Sequence, residues 1–359
     1  MHASLPPVSA NRLNGVRKPD SLVIYHFFEK DLSYINNLAH FLVFGYAEDC
    51  DHLIVVAGEH TVDLPERENI RYLFTENINN DFGGYCAALN ALGESVLAYD
   101  FVYFVNSSVR GPFLPAYVEK DWKEIFRAKL TGAVGLVGST INILAPVSRY
   151  TQHYKAKYGG NEPFSHVQTM TYVMPRQSLA HLRDAGFYFI REKLDKETVI
   201  SEYELRLSQL ILNGGWNITA LLPEYGSTDY RQAHHDVNPT TRQTGGDPNA
   251  AYSYFGRSAH PFEVVFVKTN RGIFTDGYLE RLAYSARCSQ RSSQNWNDCA
   301  FVTGYLRTIT AVAESTDKIP ASESPPTVGA VLGWADQILR DLPDTRDQIE
   351  AMLERHRTK

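Results

Sequence analysis

Apolar residues along this chain recur in two alternating rhythms. Residues 21–28 (SLVIYHFF) form a short, continuous apolar and aromatic run, the signature of a buried strand. The next apolar positions, Ile35, Leu38, Ala39 and Leu42, fall at i, i+3, i+4 and i+7 and predict a helix over 34–44 with one apolar face. Residues 52–57 and 70–74 read as two further strands. Residues 85–97 read as a second helix through Tyr85, Ala88, Leu89, Leu92 and Val96, and 101–105 (FVYFV) as a strand. This alternation predicts an α/β fold with a mainly parallel sheet covered by helices on both faces. Farther on come strands at 133–138 and 168–174, a helix at 201–212 carrying Tyr203, Leu207, Leu210 and Ile211, and a strand at 260–268 (HPFEVVFVK). Residues 238–249, rich in Pro, Gly, Thr and Asn without an apolar period, read as a mobile loop.

The pattern divides the 359 residues into one main domain, 20–285, an extension, 286–313, a linker, 314–327, and an amphipathic helical tail, 328–357, interrupted at Pro343. The tail is expected to pack on its own domain or to make a peripheral membrane or protein contact. Thirty-five Lys+Arg against 41 Asp+Glu leave a formal charge of −6, which excludes the basic footprint of a dedicated nucleic-acid binder. Cys50, Cys86, Cys288 and Cys299 are too scattered for a disulfide scaffold or a zinc site and read as free thiols. Residues 1–19 lack the apolar core of a signal peptide, and no apolar run reaches the roughly 18 residues of a membrane span, so the expected location is cytoplasmic.

In an open parallel sheet, ligands bind beyond the carboxyl ends of the strands, so candidate chemistry is sought there. Residues 77–85 (NINNDFGGY) place Asp81 and Gly83 between a strand and a helix, where glycine and unpaired helix N–H groups admit an anion. The plainer reading is that Asp81 caps the helix and the glycines make the turn. After the strand at 101–105 come Asn106, Ser107, Ser108 and Arg110, short hydrogen-bonding groups with a guanidinium suited to phosphate or carboxylate. His166 and Gln168 flank another strand start. Glu202 and Glu204 open the 201–212 helix, either as favourable carboxylates at its positive end or as a general base. His260 precedes, and Lys268 and Arg271 follow, the last predicted strand. Neither GxGxxG nor GxxxxGK[ST] occurs, so dinucleotide and P-loop chemistry has no motif support; neither GxSxG nor HExxH supports a hydrolase.

The series NINNDFGGYCAALNAL, YDFVYFVNSSVRGPF, LVGSTIN, HVQTM, EYELRLSQLIL and HPFEVVFVKTNRG resembles, in order and spacing over about 21–272, the polysaccharide glycosyltransferases related to the rhamnan synthesis F group. The resemblance implies a GT-A type fold, a nucleotide-diphosphate-sugar donor and a saccharide acceptor. It implies Asp81, Gly83, Asn106, Ser107, Ser108, Arg110 and Lys268 on the donor side, His166 and Gln168 on the acceptor side, and Glu204, with Glu202 in reserve, as the base. Such enzymes usually carry an acidic DxD-like motif after the central strand, binding Mn²⁺ or Mg²⁺; here the stretch is Asn106-Ser107-Ser108, without a carboxylate. A metal would then be held weakly unless Asp81 or His260 contributes; otherwise Arg110 and Lys268 replace its charge. The same departure leaves open a catalytically silent carbohydrate-binding or scaffold protein.

Overall fold

The computed structural model describes residues 19–242, 246–289 and 295–312. Its strands are β1 (Ser21–Phe27), β2 (Asp51–Ala57), β3 (Ile70–Thr75), β4 (Phe101–Asn106), β5 (Val109–Arg110), β6 (Val134–Gly138), β7 (Ile141–Ile143), β8 (Ser165–Val167), β9 (Thr171–Pro175), β10 (Asn217–Ala220) and β11 (Val267–Lys268). Seven form one sheet in the order β10-β6-β9-β4-β1-β2-β3, and only β9 runs antiparallel to its neighbours. The α/β class and mainly parallel sheet agree with the sequence pattern. Because β2 lies to one side of β1 and β4 to the other, the winding reverses between β1 and β4, which opens a crevice at their carboxyl ends.

Helices α1 (Leu32–Phe44) and α2 (Asn80–Leu92) cover opposite faces. Side-chain alternation along β1 explains the two cores. Val23, Tyr25 and Phe27 pack with Leu38, Phe41 and Leu42 of α1, whereas Leu22 and Ile24 pack with Phe82, Tyr85 and Leu89 of α2. Next come α3 (Trp122–Arg127), α4 (Arg149–Tyr158), α5 (Arg176–Asp184) and α6 (Lys196–Val199), a π-helical turn (Ile200–Leu205) that continues into α7 (Arg206–Asn213), then α8 (Pro239–Arg242), α9 (Pro261–Val264), α10 (Asp276–Cys288) and α11 (Ala300–Ala311).

Several expectations are corrected. Helix α2 starts five residues earlier than its apolar stripe, after Asn79 and Asn80 adopt left-handed φ values of 58° and 53°. Asn79 is therefore the cap, and Asp81, Gly83 and Gly84 lie inside the helix. A Cβ on Gly84 would sit 2.2 Å from His26 Cδ2, so glycine is what lets α2 close onto the end of β1. Residues 260–268 are not one strand: Pro261 starts α9, His260 and Glu263 form its capping box, and Val265, at φ 65°, ends it before the two-residue β11. Residues 238–242, expected to be mobile, are held by the fully buried Asn238, whose amide donates to the Ser253 carbonyl at 2.7 Å. The expected extension packs into the core beside α1 through Trp296, Val302, Tyr305 and Ile309. The linker 314–327 and tail 328–357 lie outside the described residues. All four cysteines are free thiols, and among the described residues no helix is long and apolar enough to cross a membrane.

Candidate functional site

A cavity of about 840 Å³ opens at the crevice between β1 and β4. His26 and Asn106, paired in register at the ends of these strands, lie at its floor. Asp81 enters from α2, Lys268, Asn270 and Arg271 from the segment after β11, and Glu204 from the π turn. The π turn separates three neighbouring side chains that the sequence presents together. Tyr203 packs on Phe82 and Phe187, Glu202 turns to α4, and Glu204 lines the cavity.

Three carboxylates and two cations share this space electrostatically. Burial raises Glu204 from 4.5 to about 7, with Asp81 adding to the rise and Lys268 and Arg271 opposing it. Asp81 is also raised, chiefly by burial, against the hydrogen bond from Asn106 and the charge of Lys268. Lys268 is lowered by burial while Glu204, Asp81 and Asp247 pull it back. Near neutral pH Glu204 is thus poised to take up or release a proton, as a general base requires.

The strand end after β4 wires this site together. Asn106 Nδ2 donates to Asp81 Oδ2 at 3.1 Å, while its Oδ1 accepts from Ser108 N at 3.1 Å and Ser108 Oγ at 2.5 Å. Asp81 thus brings a carboxylate beside the Asn106-Ser107-Ser108 stretch, which has none of its own. Ser107 faces the cavity, but its hydroxyl is occupied by the Phe28 backbone, accepting from N at 3.0 Å and donating to O at 3.2 Å. Asn37, fully buried on α1, donates to the Ser107 carbonyl at 2.9 Å and to Thr269 Oγ1 at 2.8 Å, and accepts from Arg110 Nε at 2.8 Å.

Arg110 is accordingly not a donor ligand. It is fully buried and does not line the cavity; a terminal nitrogen lies 3.0 Å from Asp276 of α10. Gly83 does not line the cavity either: a Cβ there would meet the Ile78 carbonyl oxygen at 2.0 Å, so its role is the tight start of α2. Glu202 is held by α4. Burial pushes its carboxyl up, but Lys157, Tyr158 and His153 outweigh this and keep it below its usual value, so it is no reserve base for the cavity. His260 lies outside the cavity; its Nδ1 accepts from Phe262 N at 3.2 Å, and Nε2 is 2.8 Å from Tyr278 Oη.

Both ring nitrogens of His260 are engaged by these contacts. Asp247, another carboxylate on the cavity, has its oxygens engaged by Gln168 Nε2 at 2.8 Å and Arg271 at 3.3 Å. Among the described residues no group of three or more His, Cys, Asp or Glu is arranged to hold a metal ion.

His166 and Gln168 do reach the cavity, although the Gln168 amide is committed at both ends, to Asp247 and to Thr140 Oγ1 at 2.6 Å. Burial lowers His166 to about 4, against the charge of Asp247, and lowers His26 to about 4 as well, so both rings are neutral at pH 7. His26, Asn142 and Asp247 are cavity residues that sequence reasoning did not select. His26 was absorbed into an apolar strand, and Asp247 sat in a segment read as loop; the close approach that requires Gly84 is visible only in three dimensions.

No family model matches the chain, and no curated protein does. Solved structures similar to it include the galactosyltransferase LgtC in complex with donor and acceptor sugar analogs, at 12% identity and a TM-score of 0.33 over 77% of this chain and 98% of that one. The WbbM bifunctional glycosyltransferase gives 12% identity and 0.34 over 67% of this chain and 49% of that one. The mannosyltransferase Ktr4p from S. cerevisiae gives 10% and 0.32 over 53% and 63%.

Proposed function

We propose that this chain is a glycosyltransferase that moves a sugar from a nucleoside-diphosphate donor to a saccharide acceptor. The observation that carries the reading is the convergence of Glu204, raised to about 7, with Asp81, Lys268 and Arg271 on one cavity at the β1–β4 switch point. A departing diphosphate needs positive charge that is already in place, and Lys268 and Arg271 supply it. Asp81, oriented by Asn106, accepts hydrogen bonds from hydroxyls of the donor. Glu204 takes the proton of the acceptor hydroxyl as that oxygen attacks the anomeric carbon; the bond from that carbon to the diphosphate oxygen breaks, and its electron pair leaves with the diphosphate. No metal ion is needed in this scheme, and the motif series that resembles the rhamnan synthesis F group supports a role in polysaccharide or glycan assembly.

The test is a panel of UDP-, dTDP- and GDP-sugars offered with simple saccharides, with and without Mn²⁺. Transfer or donor hydrolysis lost in Glu204→Gln, with nucleotide binding retained, is the expected result. Saccharide binding without binding of any nucleotide sugar would replace the enzyme by a carbohydrate-binding protein on the same fold.

A further inference from the structure

We propose that Asn37 is a positioning residue for the cationic wall of the cavity: acting through Thr269, and with its amide oriented by the buried Arg110, it holds Lys268 and Arg271 where a donor diphosphate meets them. The inference rests on the transferase reading for the identity of that anion, but the placement of the two cations can be measured without it.

The ladder that seats β11 on β5 is two residues long, Val267 opposite Arg110 and Lys268 opposite Val109, and it stops at Lys268. Burial lowers the Lys268 ammonium, Glu204, Asp81 and Asp247 hold it up, and Arg271 lowers it further, so the two cations repel each other. Held by the ladder alone, a segment with two like charges would relax by swinging one of them out to solvent, where water screens it. Side chains of α1 prevent this. Asp31 caps α1, and Leu38, Phe41 and Leu42 seat it in the core, so its first turns form a rigid mount. One turn apart on that mount, Asn37 Nδ2 donates to Thr269 Oγ1 at 2.8 Å, and Tyr34 Oη accepts from Asn270 Nδ2 at 3.1 Å. Thr269 N and Oγ1 in turn donate to the Ser108 carbonyl at 3.1 and 3.4 Å.

Arg110 decides which way the Asn37 amide points. A guanidinium has donors only, so Arg110 Nε, 2.8 Å from Asn37 Oδ1, draws the amide oxygen to itself and leaves Nδ2 to face Ser107 and Thr269. Asn37 and Arg110 are both fully buried, at positions where apolar side chains would avoid the cost of desolvation. Both bonds from Nδ2 end at the cavity: Ser107 lines it, and Thr269 sits between Lys268 and Asn270, which line it too. One amide thus ties the strand end that carries Asn106, and meets Asp81, to the segment that carries both cations. Charge fixed in advance stabilises a departing diphosphate without reorganisation at the moment of reaction.

Thr269 does not line the cavity, so a change there reaches a ligand only by moving its neighbours. Thr269→Val keeps the size of the side chain and removes the acceptor, whereas Thr269→Ser keeps the acceptor. Calorimetric titration of the full chain with UDP, dTDP and GDP should show the tightest nucleotide bound about tenfold more weakly by Thr269→Val, and within about twofold of wild type by Thr269→Ser. Asn37→Asp, which keeps an acceptor for Arg110 and gives up both donations, should weaken it at least as much as Thr269→Val. The second readout is Glu204, which burial, Asp81 and Asp247 raise to about 7 against Lys268 and Arg271. Urea unfolding of each Thr269 variant with and without Glu204→Gln, from about pH 4 to 9, follows that titration. Its pH midpoint should move higher in Thr269→Val and stay in place in Thr269→Ser. Unchanged nucleotide affinity or an unmoved Glu204 titration in Thr269→Val overturns the proposal, because a role confined to stability would lower the resistance to urea and leave both in place. Equal losses in Thr269→Val and Thr269→Ser overturn it as well, since the hydroxyl would then be immaterial. If the wild type binds no nucleoside diphosphate, the donor reading fails, and the Glu204 titration alone decides whether Asn37 and Thr269 hold the cations in place.

Discussion

Replacing Glu204 by Gln should abolish transfer and, at the same time, stabilise the protein in a manner that depends on pH. Burial and the Asp81 carboxylate move the Glu204 carboxyl from 4.5 to about 7, which amounts to a penalty of about 3 kcal/mol on its charged form. The folded state therefore holds this proton more tightly than the unfolded chain does. Below pH 4.5 both states are protonated and the group costs nothing. As pH rises from 4.5 through about 7, the native protein loses up to about 3 kcal/mol that a glutamine would not lose. Urea unfolding of the wild type and Glu204→Gln from pH 4 to 8.5 reads this directly. The stability difference, variant minus wild type, should climb across that window and level off above pH 7. A pH-independent difference, or a variant that grows relatively less stable toward pH 8, would refute the placement of an ionising carboxyl in a partly buried, acidic cavity. The activity arm follows from the same group. If Glu204 is the base, kcat/KM should rise about tenfold per pH unit below its titration and plateau above it.

Lys268→Met should weaken binding of nucleoside diphosphates and, by removing a cation that opposes the rise of Glu204, displace the acid limb of the pH–rate profile to higher pH; an unmoved limb in steady-state kinetics would uncouple the two residues. Gly84→Ala forces a methyl group to within 2.2 Å of His26 Cδ2 and 3.0 Å of Val55 Cγ1, so thermal or urea unfolding should show a loss of about 1–3 kcal/mol. Asn37→Leu strips partners from Arg110 Nε and the Ser107 carbonyl, both buried, and should cost about 2–4 kcal/mol by urea unfolding. Asp276→Asn is the milder probe of the same network, because the Asp276 carboxylate is 58% exposed, and should lower the melting temperature less than Asn37→Leu does.

The parallel sheet was legible because each buried strand is a continuous β-branched or aromatic run and each covering helix keeps a 3.6-residue stripe. What escaped was local geometry dictated by distant neighbours. The apolar run ending at Lys268 reads as a strand, yet Pro261 and the capping box set a helical turn inside it. The site was legible in part. Asp81, Asn106, Ser107, Ser108, His166, Gln168, Glu204 and Lys268 all reach the cavity, since strand ends and the segments after them are where such a sheet exposes polar groups. Arg110 and Glu202 failed for a shared reason: a charged residue beside a site can turn its side chain into a private ion pair, and sequence spacing does not reveal which way it turns. Asp247 was invisible because no period marks it, and only its contacts to Gln168 and Arg271 bring it to the cavity.

The Asn37 amide also constrains when the cavity can form. Its bond to Thr269 spans 232 positions, and its bond to Ser107 spans 70. On the ribosome, β1 through β4 with α1 and α2 can assemble early from nearby segments, but the wall bearing Lys268 and Arg271 cannot be clasped until the chain has emerged past Thr269. A nascent or prematurely terminated product would therefore fold much of its sheet while lacking the cationic half of its pocket.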